Sequence, residues 1–199
     1  MGYYLIQKKN RPLIYLFFVL YASLIYIIGF IVSPQIIYSR SIRDPNIYPK
    51  ARINSWDLLD LKGNSYSFEK VRGKVVLLNF TWKGCGQCIQ KQPFTNILKQ
   101  KYKSNNRLII LEVDLGKFDT MEDAIAFSKK GNKNLLWVYD PQNKLAERLL
   151  FEGAPHEVLI DSKGHIDFIS AGFNKDISLI YLQEISQKID KALLEIRNN

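Results

Sequence analysis

The sequence contains few side chains that commonly bind metal ions. Among its 199 residues there are two cysteines and two histidines: Cys85, Cys88, His156 and His165. A structural zinc site usually takes four protein ligands, so it would need all of them, and His165 is expected on a hairpin turn that faces water. A disulfide between Cys85 and Cys88 would close a loop too short to restrict the unfolded chain much. We therefore expect neither a metal site nor a purely structural disulfide.

Acidic side chains are absent from the first 43 residues, which carry five basic ones. The remaining residues hold 23 basic and 19 acidic side chains, so most of the formal charge of +9 belongs to the amino-terminal segment. A basic surface with interleaved aromatic residues is the usual sign of nucleic-acid binding. The body of the chain has no such excess of charge, and we expect no nucleic-acid partner.

Charged side chains are also absent from residues 12–39, and residues 13–32 are almost wholly apolar. Twenty helical residues span about 30 Å, the thickness of the hydrocarbon core of a bilayer. A cleavable signal peptide has a shorter apolar region that ends in small residues, and this stretch has neither feature. The sequence thus predicts a short cytoplasmic basic tail (1–12), a transmembrane anchor (13–37), a linker (38–52) and a globular domain (53–199). Basic residues flank the anchor on both sides, so charge alone does not set its orientation.

The globular domain alternates apolar runs with amphipathic stretches. VVLLNF (75–80) and LIILEV (108–113) are continuous apolar runs, which are typical of strands buried on both faces. Further strands are predicted over 53–61, 65–68, 135–139, 157–161 and 165–170, and helices over 85–102, 119–130, 143–151 and 176–197. The order β-β-β-α-β-α-β-α-β-β-α predicts one α/β domain.

Both cysteines lie in TWKGCGQCIQKQP (81–93), between a predicted strand and a predicted helix. A helix N terminus favours a thiolate because its unpaired backbone N–H groups face the sulfur. This placement selects Cys85 as the nucleophile and Cys88, one turn inward and expected to be more buried, as the resolving thiol. A Cys-x-x-Cys pair near a βαβ pattern is a recognised sign of redox activity, which we favour over free thiols without a role.

Three blocks in a fixed order give the chain a resemblance to a known family. They are LLDLKGNSYSFEKVRGKVVLLNF (58–80), CGQCIQKQP (85–93) and GAPHEVLIDSKGHI (153–166). In these blocks the chain resembles the membrane-anchored thioredoxin-like oxidoreductases typified by TlpA and ResA, with the cytochrome c maturation protein CcmG as a relative. The resemblance covers about residues 53–173 and implies a thioredoxin-like fold, in which helices flank a central mixed sheet.

The resemblance also implies a function and a location. It implies a thiol:disulfide oxidoreductase in the cytoplasmic (inner) membrane, single-pass, with its redox domain on the extracytoplasmic or periplasmic side. The implied partners are cysteine-containing client proteins, a membrane or extracytoplasmic thiol-redox partner, and the lipid bilayer. The implied direction is reduction of clients such as cytochrome c precursors. No cofactor is expected beyond the redox-active disulfide itself.

The resemblance assigns roles to individual residues. Cys85, Cys88 and Pro155 are the implied catalytic residues, and Pro155 is the implied cis-proline that faces the cysteine pair. Ala154 and Trp82 are implied to bind the substrate, Ala154 through its backbone.

The chain departs from the family at three positions near the cysteines. Many members have tryptophan directly before the first cysteine, where this chain has Gly84, so we expect a less apolar surface around Cys85. Lys91 stands where members often have a glutamate, and Asn79 stands where thioredoxin has a buried aspartate. The chain therefore lacks both familiar carboxylates for moving the proton of the buried thiol.

Four side chains remain as candidates for tuning the thiol pKa: Lys83, Lys91, His156 and Glu157. The lysines lower a cysteine pKa if they lie within a few ångströms of the sulfur; otherwise they are ordinary surface residues. His156, with Glu157 behind it, is the best remaining candidate for proton transfer, although a histidine near a strand also suits a purely structural role.

Other functions fit some of the same residues. A thioredoxin-like copper chaperone of the Sco type has three residues between its cysteines and a downstream histidine, whereas this chain has two residues there. A peroxiredoxin has Thr-x-x before its reactive cysteine, whereas Thr81 lies four residues before Cys85. A non-catalytic adaptor that uses the fold would need neither cysteine.

Overall fold

The computed structural model describes residues 19–23, 52–131, 135–150 and 153–197. The chain divides into two units, Met1–Asp44 and Pro45–Asn199. In the first unit, residues 19–23 are helical and exposed. Within the described ranges, no helix has both the length and the apolar character needed to cross a bilayer. Most of the predicted amino-terminal segments lie outside the described residues. These are the whole basic tail (1–12), the anchor (13–37) apart from residues 19–23, and the linker (38–52) apart from Arg52.

A six-stranded mixed sheet forms the centre of the second unit. Its spatial order is β1-β4-β3-β2-β5-β6. β2, β3 and β4 run parallel to one another, whereas β5 pairs antiparallel with β2, β6 with β5, and β1 with β4. The strands are β1 (Leu59–Asp60), β2 (Val75–Thr81), β3 (Leu108–Leu115), β4 (Leu136–Asp140), β5 (His156–Ile160) and β6 (Ile166–Ala171).

Helices cover both faces of this sheet. α1 and α4 pack on one face, where Leu98 and Ile185 join Leu77 in an apolar core. On the other face, Leu145 joins Leu111 in a second core. The helices are α1 (Gly86–Lys101), α2 (Met121–Lys130), α3 (Lys144–Arg148) and α4 (Ser178–Arg197), with short 3-10 helices at Phe68–Val71, Pro141–Asn143 and Lys175–Ile177. The predicted α/β domain with a mixed sheet flanked by helices is confirmed.

The amino-terminal strands differ from the prediction. Strand β1 is two residues long rather than covering 53–61. Of the strand predicted at 65–68 only a single bridge forms, from Ser65 to Leu59, because Phe68 begins a 3-10 helix. A tight turn ends β1: the Asp60 carboxylate accepts the N–H groups of Lys62 and Asn64, each at 2.9 Å. Such local side-chain bonds compete with a sheet ladder.

Three loops meet at one edge of the sheet. β2 and β3 are parallel, so their carboxyl ends place residues 82–85 and 116–119 on the same side. β5 runs the opposite way, and its first residue, His156, pairs with Phe80 near the end of β2. This arrangement brings the loop before β5 to the cysteine pair.

Candidate active site

The junction of β2 and α1 holds the two cysteines. Cys85 is the residue that precedes α1, and its Sγ accepts the backbone N–H of Cys88 at 3.1 Å. Cys85 and Cys88 form a disulfide with their Cα atoms 5.2 Å apart. The helix end and this N–H group both favour negative charge on Cys85 Sγ once the disulfide is reduced.

The two cysteines are equally buried, each with 5% of its surface exposed. The expectation that Cys88 is more buried is therefore not met at the level of whole residues, because the bonded sulfurs cover each other in the disulfide. Their surroundings still differ. Cys88 Sγ lies 3.9 Å from the carbonyl oxygen of Phe80, on the inner side of the helix.

The peptide bond between Ala154 and Pro155 is cis, as the resemblance implied. The Pro155 carbonyl accepts the N–H of Gly172 at 2.8 Å, which fixes the loop to the end of β6. Pro155 and Cys88 line the same small cavity. The structure thus places the cis-proline beside the cysteine pair, and Ala154, half-buried, precedes it.

The absence of a side chain at Gly84 leaves room for an aromatic ring. The Trp82 indole lies over Gly84, so that a Cβ atom at Gly84 would overlap the ring. Trp82 also stacks on Phe118, with ring centroids 5.3 Å apart and an interplanar angle of 32°. The indole of Trp82 therefore covers the site that a side chain at position 84 would have filled. The expectation of a less apolar surface around Cys85 stays a prediction.

The Lys83 ammonium points to carboxylates of the neighbouring segment. Its Nζ lies 2.7 Å from Asp123 and 4.0 Å from Asp119, and its backbone N–H donates to Asp119 at 2.6 Å. The hydrogen bond with Asp123 raises the pKa of Lys83. These contacts tie the loop before Cys85 to the start of α2 and balance the lysine charge.

Lys91 is buried rather than solvated, which rules out the surface alternative for this lysine. Only 5% of its surface is exposed. Its Nζ forms an ion pair with Glu157 at 3.0 Å and donates to Asn79 Oδ1 at 3.1 Å. Tyr181 donates a second hydrogen bond to the same Glu157 oxygen, at 2.7 Å.

His156 lies beside this cluster on β5. Its Nδ1 is 2.8 Å from the Gly153 carbonyl oxygen, which fixes the ring against the loop before the cis-proline. Burial lowers the pKa of His156, with a further lowering from the charge of Lys91. Both effects favour the neutral form of the histidine.

Sequence reasoning missed Glu112. This glutamate interrupts the apolar run LIILEV, and a charged residue inside a strand buried on both faces was the available signal. Glu112 is 3% exposed and accepts a hydrogen bond from Asn79 Nδ2 at 3.1 Å. Burial raises its pKa to about 7, although Lys91 and Asn79 act in the opposite direction. The two familiar carboxylate positions are occupied by Asn79 and Lys91, but the site still contains buried carboxylates from β3 and β5.

A second buried carboxyl group on β3 lies toward α2. Asp114 has no exposed surface. Burial raises its pKa to about 8, and the negative charge of Asp119 adds to the effect. Asp119 is the residue that holds the backbone of Lys83.

Comparison with known proteins gives one family and several related structures. The family model described as Redoxin matches residues 45–182. A provisionally named thiol:disulfide interchange protein DsbE from Chlorobium tepidum has a TM-score of 0.62 and 25% identity, over 72% of this chain and 96% of its own. The pneumococcal exposed lipoprotein thioredoxin (Etrx1) of Streptococcus pneumoniae strain TIGR4 has a TM-score of 0.54 and 26% identity, over 66% and 99%. The comparison with curated proteins gave no match.

Proposed function

Because the chain belongs to the Redoxin family and is a thioredoxin-like thiol:disulfide oxidoreductase, we propose that it reduces client disulfides through Cys85 and Cys88. Thioredoxin-like oxidoreductases act on cysteine-containing client proteins. The observation that carries the proposal is the disulfide at the start of α1, where Cys85 Sγ accepts the Cys88 N–H. That hydrogen bond and the helix end stabilise the form of Cys85 that attacks a disulfide.

The exchange proceeds in two steps. The Cys85 thiolate attacks one sulfur of the client disulfide, the client S–S bond breaks, and the second client sulfur leaves as a thiolate that takes a proton from water. Cys88 then loses its proton and attacks Cys85 Sγ, which releases the other client sulfur and forms the Cys85–Cys88 disulfide. Two electrons pass to the client, and a separate thiol-redox partner must return two electrons to this protein.

The client approaches across the loops that surround Cys85. The cis-proline segment offers the backbone of Ala154 to an extended peptide, in the manner of a strand added to a sheet edge. Trp82, stacked on Phe118, supplies the apolar surface beside the reacting sulfur. Phe118 is 44% exposed, so this aromatic pair is open to a partner.

The proposal includes a membrane tether and an extracytoplasmic location. Residues 12–39 carry no charge over a length that suffices to cross a bilayer. Among the related structures, the pneumococcal protein is described as an exposed lipoprotein. In this proposal residues 53–199 form the redox domain on the periplasmic side of the inner membrane.

Trapping in cells tests the two cysteine roles. In the Cys88→Ser variant, the client should remain joined to Cys85, because the sulfur that would release it is missing. A covalent complex that disappears on addition of a thiol reductant is the expected result on a non-reducing gel. The matched control is Cys85→Ser, which should trap far less. Equal trapping by both variants, or none by either, contradicts the assigned roles.

A redox titration of the purified protein tests the direction. The reductant thioredoxin has a reduction potential of about −270 mV, whereas the oxidant DsbA has one of about −120 mV. We expect the lower value, which suits the reduction of cytochrome c precursors or similar clients. A potential near that of DsbA would reverse the proposed direction without changing the activity class.

A further inference from the structure

A row of polar side chains crosses the sheet beneath the cysteine pair. In the strand register, Asn79 on β2 lies between Glu112 on β3 and Glu157 on β5. Their side chains lie on the face that α1 and α4 cover, since their neighbours two residues away, such as Leu77, belong to that core. Each of these three residues has at most 3% of its surface exposed.

The two glutamates of this row have different electrostatic surroundings. Glu157 forms an ion pair with Lys91 and accepts the hydroxyl of Tyr181. Glu112 instead accepts a hydrogen bond from the neutral amide of Asn79. Its burial raises its pKa to about 7. Glu112 is thus the member of the row that can gain and lose a proton near neutral pH.

A small cavity joins Glu112 to the inner cysteine. Its volume is about 10 Å³, and its walls include Cys88, Glu112, Lys91, Asn79 and Pro155. A site needs about 10–15 Å³ of such space and two to four polar partners to hold one water molecule. The walls supply three polar groups: the Glu112 carboxylate, the Lys91 ammonium and the Asn79 amide. The cavity therefore suits one water between the Cys88 thiol and the Glu112 carboxylate.

We propose that Glu112 accepts the proton of the Cys88 thiol through one water held in this cavity. The proposal rests on the proposed function, because it concerns the second step of that exchange. The thiol gives its proton to the water, which passes a proton to the Glu112 carboxylate. The Cys88 thiolate then attacks Cys85 Sγ, the bond from Cys85 to the client breaks, and the client leaves as a thiolate. Glu112 later returns its proton to solvent.

The other titratable groups nearby are less suited to this step. The Nδ1 of His156 faces the Gly153 carbonyl, and Asp114 on the same strand as Glu112 lies against Asp119. The charged or titratable groups that the structure shows around Glu112 are Cys88 and Lys91 from α1 and Glu157 from β5. Asp114 lies two residues further along the same face of β3, and Tyr181 from α4 contacts the row through Glu157. Lys91 therefore acts as a positioning residue, because it fixes Asn79 and Glu157 around the acceptor.

Two-phase kinetics test the proposal on the reduced full-length chain in detergent. A small aromatic disulfide, 5,5′-dithiobis(2-nitrobenzoate), releases one coloured thiolate when Cys85 attacks it and a second when Cys88 resolves the mixed disulfide. In Glu112→Gln, which keeps the hydrogen bond from Asn79, the second phase should slow by about 100-fold, the lower range for loss of a general base. The first phase should stay within about twofold. The matched control is Asp114→Asn, a second buried acid of β3, and it should leave both phases unchanged.

The pH profile distinguishes a proton acceptor from a structural residue. The wild-type second phase should rise with pH to an inflection near pH 7, since Glu112 must be ionised to accept the proton, and this inflection should vanish in Glu112→Gln. Equal slowing of both phases, or an inflection that survives the substitution, overturns the proposal. If Glu112→Gln does not fold, a wild-type second phase without an inflection near pH 7 overturns it. Absence of the first phase in wild type would instead refute the proposed function.

Discussion

Removal of the Lys91 ammonium should cost much more stability than removal of the Lys83 ammonium. Both lysines flank the cysteine motif and both pair with a carboxylate, at 3.0 Å from Glu157 and 2.7 Å from Asp123. Lys91→Met leaves the buried Glu157 charge without its cation, and breaking a buried pair in this way costs about 3–5 kcal/mol. Lys83→Met should cost far less, because an exposed ion pair gains little free energy in water.

Urea unfolding of the oxidised 45–199 unit measures both costs. For a unit of this size, the Lys91→Met cost corresponds to a fall in Tm of about 6–20 °C. The cost should shrink in the double variant Lys91→Met/Glu157→Gln, in which the buried charge is gone. The reasoning is refuted if the two lysine variants are equally stable, or if the two substitutions in the double variant simply add.

Two further outcomes follow from buried or crowded positions. Gly84→Ala should destabilise the protein by about 1–3 kcal/mol, since the new methyl group overlaps the Trp82 indole. The control is Gly86→Ala, because a Cβ atom there meets nothing within 4 Å. Near-ultraviolet circular dichroism should report a displaced indole in Gly84→Ala alone. For Asp114, the raised folded-state pKa of about 8 means that its contribution to stability is present at low pH and is lost as pH rises from about 4 to 8. The free energy of unfolding of Asp114→Asn should therefore be close to that of wild type at pH 5 and higher than that of wild type at pH 8. Urea unfolding at both pH values measures this difference. A variant less stable than wild type at pH 8 would contradict the prediction.

Local sequence signals sufficed for the elements that hold the cysteines. The apolar run of β2 followed by Cys-x-x-Cys predicts a strand that feeds a helix, and the structure has that junction. The signals failed where a polar side chain competed with the backbone, as at Asp60, whose turn ends β1 after two residues.

The details of the site depend on contacts between distant segments. Lys91 is a helical residue between Gln90 and Gln92. Its burial follows from the docking of α1 on β2 and β5, which the local sequence does not show. Glu112 meets Asn79 through the register of two strands that are 33 residues apart in sequence. The contact between Trp82 and Gly84 depends on the direction of the Trp82 side chain, whose ring lies over Gly84. The local sequence does not show this direction.

The buried row limits how this protein can change through evolution. A substitution that removes the charge of Lys91 alone leaves Glu157 without its cation, and such a change is costly. A lineage can therefore lose either charge only if the other changes at nearly the same time, and Asn79, which contacts both Lys91 and Glu112, restricts the replacements further. We therefore expect positions 79, 91, 112 and 157 to change together, although they belong to three strands and a helix. Relatives that differ at one of them should differ at a second, and that pattern of covariation would mark the row without any structure.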